Sequence, residues 1–257
     1  MSEPTVVVLP DPAAVASEAA ERIADALAGA VAERGRADWA TTGGSTPVPI
    51  YRLLATSPLR ERVPWQQVHL WWGDDRFVPS SDVLSNAAPA REHLIGPTRM
   101  PASNVHPVPT DASIGAGETP DACAGRYEEA LRSSGIGVAG GWPAFDLAVV
   151  GIGPDGHLLS VFPGSSAFDR PEWVIGIPAP THVQPHVARV TLNPRILDAA
   201  RTLLVVVHGA SKAAVLAEIF VEDRDERRRP AQVARRAGAT WILDAAAADR
   251  LPAGVGR

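Results

Sequence analysis

Residues 145–165 read FDLAVVGIGPDGHLLSVFPGS, and the abrupt change at Gly151 decides how the chain folds. Phe145, Leu147, Ala148, Val149 and Val150 make an apolar run of the kind found in a strand buried on both faces of a parallel sheet. The run stops at Gly151, Gly153, Pro154 and Gly156, with Asp155 and His157 set among them. A buried strand thus delivers two ionisable groups to the loop at its carboxyl end, where open α/β sheets bind ligands. Gly151, Gly153 and Gly156 also satisfy G-x-G-x-x-G, the pattern of a dinucleotide site. Against that stand Pro154 inside the turn and Pro163, which ends the following helix at about two turns, too short for a crossover helix.

Outward from this stretch, short apolar runs at 5–9, 38–42, 68–72, 173–177, 186–192, 203–207 and 241–243 read as further strands. Between 13 and 33, Val15, Ala19, Ile23, Leu27 and Val31 recur at helical spacing and predict a long amphipathic helix. Shorter helices are expected at 87–94, with Ser85 as cap, at 121–133, at 213–220, and after Asp244. Residues 95–120, rich in Pro, Gly, Ser and Thr, read as a long surface loop, and the mixed charge run 222–229 as a solvated one. Strands alternate with helices from end to end, so residues 1–257 are expected to form a single α/β domain with a mostly parallel sheet.

Composition narrows the function classes. Hydrophobic residues make up 46% and charged residues 21%, as in ordinary soluble globular chains, and a net charge of −5 gives no case for nucleic-acid binding. Cys123 is the only cysteine, which excludes an internal disulfide and makes a cytoplasmic location the natural expectation. No apolar stretch approaches the ~20 residues of a membrane helix, and the first residues lack the pattern of a signal peptide. Pro185 keeps His182 and His186 from pairing on a helix as metal ligands, so no metal is expected.

Three further strand ends carry chemistry. Gly43-Gly44-Ser45-Thr46-Pro47 suits either a phosphate cradle or an ordinary strand-to-helix turn with a hydroxyl cap. Asp74-Asp75-Arg76 suits either the positioning of hydroxyls and a developing anion or a surface ion-pair cluster. Lys212, in the first turn of a helix after the 203–207 strand, is poorly placed for the helix dipole unless an anion sits between them. His208, with no acid or nucleophile near it in sequence, reads as structural.

Together these segments resemble the 6-phosphogluconolactonase family, within the wider group that includes glucosamine-6-phosphate deaminase and ribose-5-phosphate isomerase. The matching pieces are TTGGSTP (41–47), GDDRFVP (73–79) with SN (85–86), GIGPDGHLLSVFPGS (151–165), ARVTLN (188–193), HGASKA (208–213) and WILDAAAADRL (241–251). The chain departs from the family at Asp75, where Glu is usual, at Leu158 to Phe162, where Thr-Ala-Ser-Leu-Phe is usual, and at Thr41-Thr42. The resemblance implies a modified Rossmann-like three-layer sandwich and hydrolysis of 6-phospho-D-glucono-1,5-lactone, with no cofactor. A monomer whose partner is this small phosphorylated lactone is expected. By the same resemblance His157 is the catalytic base, Asp155 orients its imidazole or binds a sugar hydroxyl, Arg76 serves either the phosphate or the carbonyl oxygen, and Gly43, Gly44, Ser45, Thr46, Asp74, Asp75, Arg189 and Lys212 bind substrate. The deaminases carry a proton-relaying glutamate in the corresponding loop, where this chain has Phe162, and phenylalanine relays no proton. A deaminase or isomerase of the same fold, and a non-catalytic sugar-phosphate sensor, are the alternative readings.

Overall fold

The apolar run after Phe145 lies at the centre of a seven-stranded sheet in which each neighbouring pair is parallel. The computed structural model describes residues 3–255. Its strands are β1 (Thr5–Leu9), β2 (Ala37–Thr41), β3 (Val68–Trp72), β4 (Asp74–Arg76), β5 (Val105–His106), β6 (Val138–Ala139), β7 (Trp142–Pro143), β8 (Leu147–Val150), β9 (Val174–Ile177), β10 (Arg189–Leu192), β11 (Thr202–Val207) and β12 (Ala239–Asp244). The main sheet runs β1-β12-β11-β8-β2-β3-β5, and β4-β10-β9 form a separate antiparallel sheet. β6 and β7 make a two-stranded hairpin.

Burial explains the strand choice. Every residue of β2 and β8 is buried, as is all of β11 after Thr202, so side chains pack on both faces of the sheet. Both faces of a parallel sheet must be covered, which makes the fold a layered α/β structure. The 23-residue helix Pro12–Arg34 covers one face with Val15, Ala19, Ile23 and Leu27. Asp11 caps it by accepting from the Ala14 N–H at 2.8 Å, and Gly35 ends it in the left-handed conformation. Trp39, Trp71, Trp72 and Trp241 are fully buried, each contributing roughly 4–6 kcal/mol of gross apolar burial.

Several elements differ from the sequence expectation. Asp74–Arg76 is not a loop but strand β4, because β10 pairs with it antiparallel. The segment 95–120 is not structureless: it holds β5, which pairs with β3 as the sheet's edge, and the helix Thr110–Gly115. No helix forms between His157 and Pro163, where turns and a Leu158–Val161 bridge replace it. The helix expected at 87–94 is helical from Ala87 but widens into a π turn over Arg91–Ile95.

Candidate active site

The strand order places the chemistry. β11, β8 and β2 are adjacent and parallel, so the loops at their carboxyl ends, 208–212, 151–157 and 42–46, meet at one edge of the sheet. Between them opens a cavity of about 470 Å³ lined by residues of all three loops together with Asp74, Arg76, Asn86, Leu159 and Arg189. That volume lies in the range of small-molecule sites.

Gly43 is required by close approach rather than by its backbone angles. A Cβ there would stand 1.9 Å from Cγ of Asn86, whose side chain lies against the loop. Gly44 follows with φ +82°, open to glycine and strained for other residues. Thr46 makes no side-chain cap to the helix Pro47–Leu54, and its side chain lines the cavity with those of Ser45 and Thr42. The Tyr51 hydroxyl holds the loop from behind, 2.7 Å from Thr41 Oγ1 and donating to the Thr42 carbonyl at 3.2 Å.

Alternation along β4 separates the two adjacent carboxylates. Asp74 and Arg76 line the cavity, and Asp74 accepts from the Ser160 hydroxyl at 2.5 Å. Asp75 is not among the lining residues, which corrects its expected contact with substrate. It accepts instead from the backbone N–H groups of Asn86 (2.7 Å) and Arg76 (2.8 Å) and from Ser85 Oγ (3.1 Å). Burial pushes its carboxyl up to about 6, against the pull of those donors and with a further push from Asp74.

Arg189 stands directly opposite Arg76 across β10 and β4. Two guanidinium groups in that relation repel unless an anion joins them. Arg189 is only 4% exposed, yet its Nε, like that of Arg76, is buried without a hydrogen-bond partner among the described residues. Their hydrogen bonds go to carbonyls: Arg76 donates to Leu84 O at 2.6 Å and Arg189 to Pro185 O at 3.0 Å. The carboxylates of Asp74 and Asp75 act on Arg189 electrostatically, while both guanidinium groups keep an unpartnered Nε–H among the described residues.

His157 lines the same cavity. Its Nδ1 lies 2.5 Å from Asp155 Oδ1, and its backbone N–H donates to the same oxygen at 3.2 Å. Asp155 does not itself line the cavity but stands behind the imidazole. Half-burial alone would raise its carboxyl, but the hydrogen bonds and charge of His157, with a contact from His182, hold it well below the usual carboxylate range. An ionised carboxylate only accepts, so Nδ1 of His157 carries the hydrogen and Nε2 is the free nitrogen. Phe162 packs against the ring at a centroid distance of 4.7 Å. Leu159, another lining residue, holds the left-handed φ of +54°, uncommon outside glycine.

Lys212 precedes the helix Ala213–Val221 and donates from Nζ to the Ile152 carbonyl at 2.8 Å. Burial lowers the proton affinity of its ammonium, and the nearby Asp155 partly restores it. All the residues proposed from the sequence thus line the cavity except Asp75 and Asp155. Sequence reasoning gave no site role to His208, Ser160 or His182, and Asn86 entered only as part of the SN match at 85–86. His208 is a lining residue, and its position at a strand's carboxyl end was the available signal. The charge run 222–229 is also more than a solvated loop. Arg229 reaches Glu218 and packs by Gly156, while Gly164 N donates to Arg227 O at 2.7 Å, so the run backs the 156–164 loop.

Residues 10–242 match the family model for glucosamine-6-phosphate isomerases/6-phosphogluconolactonase. The chain is similar to 6-phosphogluconolactonase of Synechocystis sp., with 36% identity covering 86% of this chain and 88% of the relative. The enzyme of Nostoc sp. is 32% identical, covering 96% and 98%. The solved 6-phosphogluconolactonase of Trypanosoma cruzi superimposes with a TM-score of 0.84 at 29% identity, covering 98% of each chain.

Proposed function

The chain belongs to the glucosamine-6-phosphate isomerase/6-phosphogluconolactonase family, and from that premise we propose that it hydrolyses 6-phospho-D-glucono-1,5-lactone to 6-phosphogluconate. The observation that carries the proposal is the His157–Asp155 pair: an imidazole oriented through Nδ1, on the wall of a cavity rich in anion donors. A lactone carbonyl is already electrophilic, so one base and a few donors suffice. His157 Nε2 takes a proton from water as the water oxygen attacks the carbonyl carbon. The ring C–O bond then breaks, and the imidazolium returns its proton to the departing ring oxygen. Asp155 keeps the imidazole in the required tautomer and stabilises its charged form.

Gly43, Gly44, Ser45, Thr46, Lys212 and Arg189 hold the 6-phosphate in this reading, with Arg76 supplying a second guanidinium on the wall of Arg189. Asp74 accepts from sugar hydroxyls. Phe162 disfavours a deaminase, because it puts an apolar ring beside His157 where that reaction uses an acid. The test is a paired assay: acid release from the lactone against ammonia release from glucosamine 6-phosphate. Turnover of the lactone alone supports the proposal, and ammonia release without lactone opening overturns it.

A further inference from the structure

We propose that His182 is a positioning residue of this site, clamping the carboxylate of Asp155 from the side opposite His157. The inference deepens the lactonase reading and rests on it for the kinetic part of its test. His182 lies between β9 and β10, remote in sequence from the 151–157 loop, and its Nε2 is 3.1 Å from Asp155 Oδ2. The two carboxylate oxygens are unequally served. Oδ1 receives both the ring and the backbone N–H of His157, whereas Oδ2 has only His182 as a hydrogen-bond partner among the described residues.

Phe162 makes the arrangement closed. Its ring lies 4.7 Å from that of His157 and 5.6 Å from that of His182, the latter edge-on at 82°. One carboxylate and one phenyl ring therefore contact both imidazoles. The torsion of an Asp carboxylate is broad and roughly two-fold, so one anchored oxygen does not fix its plane. A donor on each oxygen does, and the plane sets the direction of the His157 Nδ1–H bond. Were His182 only one half of an exposed ion pair, its removal would have little effect.

The sign of the electrostatic effect follows from the same geometry. The titratable groups facing Asp155 are His157 on its own loop, His182 on the 178–188 segment and Lys212 ahead of the helix Ala213–Val221. Arg189 lies over the Phe162 ring, and Arg229, beside Gly156, is paired with Glu218. A hydrogen bond to Oδ2 draws negative charge away from the carboxylate. Removing it leaves the full charge for His157, whose imidazolium is then held more tightly.

The experiment compares the native protein with H182A and H182Q, measuring kcat, KM and the pH profile of kcat, and following the His157 ring titration by NMR. For H182A, kcat should fall roughly five- to twenty-fold with KM within about twofold. Its pH profile and the His157 ring signals should both depart from the native ones. In H182Q the side-chain amide can reach the same oxygen, so its kcat should stay within about threefold of the native value and both titrations near their native positions. A native-like profile and ring titration in H182A, or equal damage in H182A and H182Q, would overturn the inference. Should the native protein fail to open the lactone, the lactonase reading fails, and the NMR comparison still decides whether His182 acts on His157.

Discussion

A Cβ placed on Gly153 would stand 2.0 Å from both Nδ1 and Cε1 of His157, so glycine at this position is a condition for the seat of the imidazole. The Gly153 N–H also donates to the His157 carbonyl at 2.8 Å, closing the turn that presents the ring. The glycine pattern that imitates a dinucleotide fingerprint thus has another cause here. It makes room for a side chain of the same loop.

Gly153→Ala should therefore displace His157 while leaving the sheet intact. We expect kcat to fall at least about 100-fold, with a stability loss of about 1–3 kcal/mol. Steady-state kinetics alongside urea unfolding separates the two. Native kcat in a folded Gly153→Ala variant would show that the ring position is not critical.

Asp75 offers a test of the correction at β4. Its carboxyl rises from 3.8 to about 6 in the fold, so the native state retains a proton that the unfolded chain releases between those values. The stability linked to this group is full below about pH 4 and is lost as pH rises through about 6. Asp75→Asn keeps an oxygen for the two backbone N–H groups and an amide for Ser85, without the buried charge. Relative to the native protein it should gain stability as pH rises from 4.5 to 7.5, by about 2 kcal/mol, with KM within about twofold. Urea unfolding at the two pH values checks the first, and a large rise in KM would put Asp75 back among the substrate contacts.

The parallel strands were legible because they are local: a short apolar run ending in glycine identifies β8, β2 and β11 without knowledge of their partners. β4 was not, because three charged residues carry no strand signal, and only pairing with β10 more than a hundred residues later makes them one. The same holds for β5, two residues long and dependent on β3. Candidate site residues at strand ends could be read from the sequence and its family resemblance, since topology gathers those ends. Their division of labour could not. Which of Asp74 and Asp75 faces the cavity depends on the register of β4, and the contact between His182 and Asp155 depends on how two distant loops pack.

Lys212 should act chiefly on binding. Lys212→Ala is expected to raise KM for the phosphorylated lactone about tenfold or more, with kcat within about threefold. Unphosphorylated gluconolactone, which lacks the anion, should be affected far less. A fall in kcat at constant KM would instead place the ammonium at the reacting carbonyl.

The central claim is that His157, held by Asp155, is the base of a lactone hydrolysis. It is tested most directly by following proton release in weak buffer at neutral pH from freshly generated 6-phosphogluconolactone, with the native protein, His157→Ala and a protein-free control for spontaneous opening. We expect acceleration by the native protein and, for His157→Ala, a loss of at least about 100-fold in kcat with little change in KM. Equal acceleration by both proteins would contradict the role of His157, and acceleration by neither would contradict the reaction.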